Sequence, residues 1–201
     1  FTTTTPSTNI FQLLKHTPFV TTNDNTSYTF YTTQDHIINR VNNVFTFSDI
    51  EIKEGKPLTY AYTVADGVQY IIPNTGVDIS TLTVKIQESG TSSNYEIFKN
   101  ADDILDLNES SNVYFIKEVD NELFEIEFGD GVIGKALTNG NVVILNYMVC
   151  HGDEPNGANV FRYHGTSFEG ISSALVTTVV PASNGSVIEG ATSPILEITS
   201  A

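Results

Sequence analysis

Apolar residues recur at every second position through much of this chain, and a period of two predicts strands. The alternation is plain over residues 28–31, 44–47 and 58–64, which are built from aromatic and β-branched side chains. Residues 58–64 lead through Asp66-Gly67 into 68–72, and an Asp-Gly between two such runs predicts a hairpin. A second hairpin is predicted from 113–119, through Asp120-Asn121, to 123–128. In its return strand Phe124, Ile126 and Phe128 share one face and Glu125 and Glu127 the other, the pattern of a sheet with one buried and one wet face. Helical spacing is rare. Ser7 is placed to cap a short turn in which Ile10, Leu13 and Leu14 fall at i, i+3 and i+4. The acidic start of 101–107 suits a helix N-terminus and brings Ile104 and Leu107 to one side.

Turn-rich clusters at 73–76 and 152–157 divide the chain. They predict an inserted α+β module, residues 73–150, within an outer β domain of residues 1–72 plus 151–190. Residues 191–201, short of periodicity and rich in small side chains, read as a linker or the truncated start of a following segment. The expected fold is mainly β (α+β with minor helix): an antiparallel β-sandwich-like domain carrying an inserted smaller α+β module.

Gly129-Asp130-Gly131-Val132-Ile133-Gly134 matches G-x-G-x-x-G and follows a predicted strand. A dinucleotide site would need a helix opening at the last glycine, so that its N–H groups face a pyrophosphate. Only residues 135–138 separate Gly134 from the Asn139-Gly140-Asn141 turn, and a β-rich run follows. The glycines instead predict a loop between two antiparallel strands, supplying positive φ or close backbone approach. No cofactor is expected.

Charge narrows the partners. With 9 Lys and Arg against 24 Asp and Glu, the formal net charge of -15 repels a phosphate backbone, which argues against a nucleic-acid partner. No apolar run reaches transmembrane length and no basic-then-apolar leader opens the chain, so no membrane partner is expected. The first residue is Phe1, which suggests a segment or processed product of something longer. Cys150 stands alone and offers neither a disulfide framework nor a thiolate zinc site.

Candidate chemistry is thin. His151 and His164 flank Asp153 and Glu154, conceivable metal ligands whose simpler reading is a surface loop. Asp130, or Asp153 with Glu154, offers oxygen to calcium without the D-x-[DN]-x-[DN]-G series, so an Asp-stabilised tight turn is the better reading. Glu125, Glu127, Asp130, Asp102 and Asp103 are available as a glycosidase pair, but nothing marks an apolar cleft around them. No Ser stands in G-x-S-x-G. Tyr60, Tyr62 and Tyr70 suit a sugar-binding face or, more ordinarily, a bridge between core and solvent. No catalytic residue and no metal site is expected.

Several short motifs, taken in order, carry a resemblance. They are Tyr70-Ile71-Ile72-Pro73-Asn74, then Asp78 with Thr81 and Leu82, and Tyr114-Phe115-Ile116-Lys117-Glu118. Phe128-Gly129-Asp130-Gly131 with Gly134, Gly140-Asn141 and Asn156-Gly157 complete the series. Together they resemble the central β-rich region of the baseplate wedge subunits of T4-type contractile-tailed phages, distantly similar to J-type baseplate proteins. The resemblance covers roughly residues 54–161. It implies a structural, non-enzymatic virion component that contacts other baseplate wedge subunits and associates with itself in the full-length protein. It implies a place in the tail baseplate, assembled in the host bacterial cytoplasm, and a helical continuation after Pro181. The alternative is a glycan- or receptor-binding β module of a phage or bacterial surface protein.

Overall fold

The computed structural model describes residues 9–42, 44–101, 107–165, 175–183 and 195–200. The chain is mainly β, and among the described residues its longest helix is a single 3-10 turn, Asp120–Glu122. It divides into two units, Phe1–Lys56 with Cys150–Ala201, and Pro57–Val149. Strands β1 (Ile10–Leu13), β2 (Pro18–Asn23), β3 (Thr26–Thr32), β4 (His36–Asn39) and β5 (Phe45–Glu54) open the outer unit. The inner unit holds β6 (Lys56–Thr63), β7 (Tyr70–Ile72), β8 (Val77–Gln87), β9 (Tyr95–Asn100), β10 (Val113–Val119), β11 (Leu123–Phe128) and β12 (Val142–Val149). The chain then returns through β13 (Arg162–Tyr163), β14 (Leu175–Val180) and β15 (Ile195–Ser200).

The outer unit has a six-stranded sheet in the order β13-β2-β3-β5-β15-β14 and a separate β1-β4 ribbon. The ribbon turns Phe11 and Leu13 onto the sheet, with the Phe11 ring 5.3 Å from Phe45 and 5.5 Å from Phe47. The turn expected after Ser7 is therefore a strand, and Ser7 itself lies outside the described residues. Phe11 and Leu13, two apart, are the buried pair, while Ile10 and Leu14 are half-exposed. Pairing with β4 through Leu13↔His36 and its neighbours outweighs the local helical spacing.

β5 carries one extra residue. Between the pairs Leu196↔Ile50 and Ile198↔Phe47, one residue of β15, Glu197, lies opposite two of β5, Ser48 and Asp49, and Asp49 takes φ 57° at the bulge. The bulge flips the parity of the strand, so Phe45 and Phe47 before it and Ile50, Ile52 and Glu54 after it all face inward. β15 also corrects the expectation for the tail. Residues 195–200 are neither linker nor the start of a helix but an inner strand between β5 and β14, because Leu196 and Ile198 alternate into the core.

The inner unit is one seven-stranded sheet in the order β6-β12-β8-β9-β10-β11-β7. The pairs β12–β8, β8–β9, β10–β11 and β11–β7 are antiparallel, while β9 and β10 run parallel, joined by a connection whose residues 102–106 lie outside the described set and include most of the expected 101–107 helix. The hairpin expected from 113–128 forms, with Asn121 at φ 65° in its turn. The one expected around Asp66-Gly67 does not: β6 and β7 lie at opposite ends of the strand order. The sheet curls until those ends meet through side chains. The Tyr62 hydroxyl donates to the Ile71 carbonyl, and its ring lies 5.6 Å from Tyr70. Because β6 and β7 belong to this sheet, the inner unit begins at Pro57 and not at residue 73, and it ends at Val149. Ile72, Val84, Ile126, Val143 and Leu145 fill its centre, each worth roughly 1.5–3 kcal/mol of burial.

Candidate functional site

The motif residues are distributed along the fold as backbone fixtures. Near the start of β8, Asp78 Oδ1 accepts from the Ser80 N–H at 2.9 Å and the Ser80 hydroxyl at 2.7 Å. Thr81 donates to the Asp78 carbonyl and accepts the Met148 N–H at 2.9 Å. That N–H belongs to the irregular step in the β8–β12 ladder between Asn146 and Met148, so the Thr81 hydroxyl satisfies a donor there. Leu82 packs against the inner core.

Phe128 ends β11 with its ring edge-on to Phe98 and Tyr70, at 5.7 and 5.3 Å. The glycine loop then turns. A Cβ on Gly129 would fall 2.2 Å from the Gly134 carbonyl carbon, and Gly134 itself sits at φ 81° against Val113. Asp130 Oδ1 accepts the N–H groups of Val132 and Ile133, both at 2.9 Å, and these bonds, Ile133 first, hold its carboxyl below the ordinary value. Gly131 donates to the Gly134 carbonyl, Gly134 to Asn108 and Lys135 to Ser111. The N–H groups of Gly131, Val132 and Ile133 thus meet acceptors within the loop, and those of Gly134 and Lys135 meet carbonyls of residues 108 and 111. The loop joins β11 to β12, which are not ladder neighbours, so the expected pair of adjacent strands is corrected while the turn chemistry holds. At the next turn Asn141 Oδ1 accepts the Thr138 N–H and its amide donates to the Glu88 carbonyl; Gly140 donates to Val64. In the outer unit Asn156 and Gly157 lie in a separate turn, where the Asn23 amide reaches the Asn156 carbonyl at 3.1 Å and the Gly157 N–H donates to Ala182.

The acidic candidates have other occupations. Glu125 is buried, contrary to a uniformly wet face, and Lys117 on the facing strand bridges it at 3.1 Å and Glu127. Both acids raise the Lys117 ammonium above its usual range, Glu127 first. Asp102 and Asp103 lie outside the described residues. His164 is tied by its N–H to the Pro18 carbonyl, and His151 turns to Glu54. Among the described residues no group of three or more His, Cys, Asp or Glu side chains is arranged to hold a metal ion. Tyr60, Tyr62 and Tyr70 do gather, in a run that leads from a half-exposed rim to buried Phe98. Burial raises the phenols of Tyr62 and Tyr70 above their ordinary value.

Two features were not anticipated. Glu54, nearly fully buried, accepts the His151 N–H at 3.0 Å on Oε2 and meets His151 Nδ1 at 2.7 Å on Oε1, and its carbonyl accepts from the Cys150 thiol. Tyr28 stacks edge-on to His151 and donates to Glu154 at 3.1 Å. The sequence analysis does not single out Glu54; extending the period of two from Phe45 and Phe47 would put it on the outer face, and only the bulge at Asp49 turns it inward. The second feature is a cleft of about 450 Å³ in the inner unit. β8 and β9 supply Ile86, Tyr95, Glu96 and Phe98, and the segment 135–138 with Asn141 supplies the opposite wall. Lys135 pairs with Glu96 across it at 2.6 Å.

Exposed apolar residues complete the picture. On the β1-β4 ribbon Ile10 and Ile37 are at least half-exposed, on the side away from Phe11 and Leu13, and Leu14 and Val41 just beyond the two strands are exposed as well. At one end of the six-stranded sheet, the edge strand β14 exposes Leu175 and Val179. Exposed apolar side chains and edge strands are the features through which β proteins commonly meet other chains. No helix among the described residues is long and apolar enough to cross a membrane. No protein-family model and no curated protein matches this chain.

Proposed function

We propose that this chain is a structural component of a contractile-tail phage baseplate wedge and mediates subunit–subunit assembly without catalysis. The observation that carries the reading is the ordered motif series from Tyr70 to Gly157, which resembles the wedge subunits in sequence. Its residues act as turn and bulge fixtures: Asp78 and Thr81 at a strand irregularity, Gly129 to Gly134 in a braced loop, Gly140 and Asn141 at the next turn. Such residues preserve the shape of a scaffold, which is what an assembly protein requires. The apolar outward side of the β1-β4 ribbon and β14, an edge strand among the described residues, suit contacts with other wedge subunits, and with a second copy in the full-length protein. The compartment that follows is the virion tail baseplate, assembled in the bacterial cytoplasm.

Mass spectrometry of baseplates isolated from purified virions tests the reading. The expected result is this chain present in a multiple of six; its absence from baseplates overturns the proposal. A second reading, a glycan- or receptor-binding module, draws support from the Tyr60–Tyr62–Tyr70 cluster, in which Tyr60 is 40% exposed. It predicts retention on a glycan array, where a wedge component is not retained.

A further inference from the structure

Five Asn-Gly or Asp-Gly steps stand in the sequence: Asp66-Gly67, Asp130-Gly131, Asn139-Gly140, Asn156-Gly157 and Asn184-Gly185. The last lies outside the described residues. A step of this kind carries its own reaction. The glycine nitrogen attacks the side-chain carbonyl carbon of the residue before it and closes a five-membered succinimide, since no Cβ on glycine bars the approach. Asparagine loses ammonia in that closure and aspartic acid loses water.

The four described steps are alike in conformation and differ in one hydrogen bond. Their glycines all have positive φ, 78° at Gly67, 85° at Gly131, 92° at Gly140 and 86° at Gly157. Exposure does not separate them either, because Asp66, Asp130 and Asn139 are all exposed. The glycine N–H does. Gly131 donates to the Gly134 carbonyl at 3.1 Å, Gly140 to Val64 at 2.9 Å and Gly157 to Ala182 at 2.8 Å. A nitrogen held in this way must give up its bond before it attacks. Among the described residues nothing accepts the Gly67 N–H. Its turn is closed by one long bond, from the Val68 N–H to the Ala65 carbonyl at 3.3 Å, and a Cβ on Gly67 would meet no atom within 4 Å. Asp66 is held by one exposed bond, its Oδ1 accepting from Asn139 Nδ2 at 3.1 Å.

We propose that Asp66-Gly67 is a modification site, at which the folded chain converts itself to isoaspartate. The Asn-Gly steps at 139 and 156, the more reactive kind in an unfolded chain, stay intact. In the first step the Gly67 nitrogen bonds to Asp66 Cγ, and the carboxyl hydroxyl leaves with the amide hydrogen as water. Water then adds back to the succinimide. Opening at the side-chain carbonyl restores aspartate. Opening at the main-chain carbonyl breaks the old peptide bond to Gly67 and leaves the chain running through Cβ and Cγ. The product has one more backbone carbon between β6 and β7, and its carboxylate leaves from Cα, away from the place where Asn139 meets it. This inference goes beyond the assembly reading and does not rest on it.

The test incubates the folded chain in heavy-oxygen water at neutral pH, digests it in ordinary water and follows each step by mass spectrometry of the peptides. Hydrolysis of a succinimide takes its oxygen from solvent. The Asp66 peptide is therefore expected to gain the label and to separate into two chromatographic peaks of equal mass. The peptides holding Asp130, Asn139 and Asn156 are expected to stay unlabelled over the same time. Unfolding in urea frees every N–H, and there Asn139 and Asn156 are expected to convert before Asp66. Asp66→Asn compares like with like, because its oxygen still accepts from Asn139. The amide placed there is expected to be lost at least about tenfold faster than that of Asn139 in the same molecule, the factor that one backbone hydrogen bond contributes. Three results overturn the inference: Asn139 or Asn156 converting ahead of Asp66 in the folded chain, an Asp66 peptide as inert as the Asp130 peptide, or equal rates at positions 66 and 139 in Asp66→Asn.

Discussion

Two carboxylates, one in each unit, each take hydrogen bonds from a returning stretch of chain, and they differ in their access to water. Glu54 is 4% exposed at its side chain and meets the backbone and ring of His151. Asp130 is exposed and accepts two backbone N–H groups of its own loop. The geometry is similar and the consequences are opposite. A buried carboxylate is retained only where every lone pair is answered, so its loss leaves orphaned donors in a dry place. An exposed one competes with water at every step and gives a small, pH-dependent benefit. The inner loop therefore relies on something besides its acid, namely the contact of Gly129 with Gly134, while the outer turn relies on the acid itself.

The largest effect expected from that difference lies at Gly129. Gly129→Ala drives a Cβ into backbone 2.2 Å away that no rotamer can vacate, and it is expected to cost more than about 3 kcal/mol. Gly140→Ala provides the contrast. Gly140 has φ 92° with no heavy atom near its missing Cβ, so only backbone strain is felt, about 1 kcal/mol. Urea unfolding followed by far-ultraviolet circular dichroism compares the two. Equal midpoints for the two variants would show that close approach does not hold the glycine loop.

What the sequence made legible was local. The hairpin from β10 to β11 could be read because Asn121 provides the left-handed turn between two alternating runs. The loop at Asp130 could be read because glycines flank an acid with no room for a helix behind it. What stayed hidden was decided by distant partners. Asp66-Gly67 does turn, with Gly67 at φ 78°, yet the strands it separates pair with β12 and β11 instead of each other. The Pro73–Gly76 turn cluster suggested a boundary and is a connection inside one sheet. Leu196 and Ile198 were two apolar residues in a stretch of small ones until β5 and β14 gave them a sheet to complete. Glu54 was missed for a subtler reason: a single bulged residue at Asp49 moved it from the solvent side to the core side.

At Glu54 the comparison can be sharpened by separating charge from hydrogen bonding. Glu54→Leu leaves the part-buried His151 N–H without its acceptor, and it is expected to cost about 1–3 kcal/mol. Glu54→Gln keeps an oxygen for that N–H, and its amide can donate to His151 Nδ1 once the imidazole carries its proton on Nε2. It is expected to cost less than half as much. Thermal unfolding of the two variants at neutral pH checks this. If Gln destabilises as much as Leu, the negative charge and not the pair of hydrogen bonds holds the turn.

The smallest effect is expected at Asp130, and its sign follows from the direction of the shift. The N–H groups of Ile133 and Val132 favour the charged form, so the folded value lies below the ordinary 3.8. A depressed folded value means that the bond's contribution is fully present above the unfolded value and is lost as pH falls through the folded one. The amide resonances of Val132 and Ile133 are therefore expected to titrate together as pH falls, with a midpoint below that of a free aspartate. In Asp130→Asn the amide oxygen still accepts but has no proton to gain, so the same resonances are expected to stay flat. A midpoint at or above 3.8 in the parent protein would mean that the two N–H groups do not favour the carboxylate. The loop would then be held by its glycines alone, and the likeness between Asp130 and Glu54 would end at geometry.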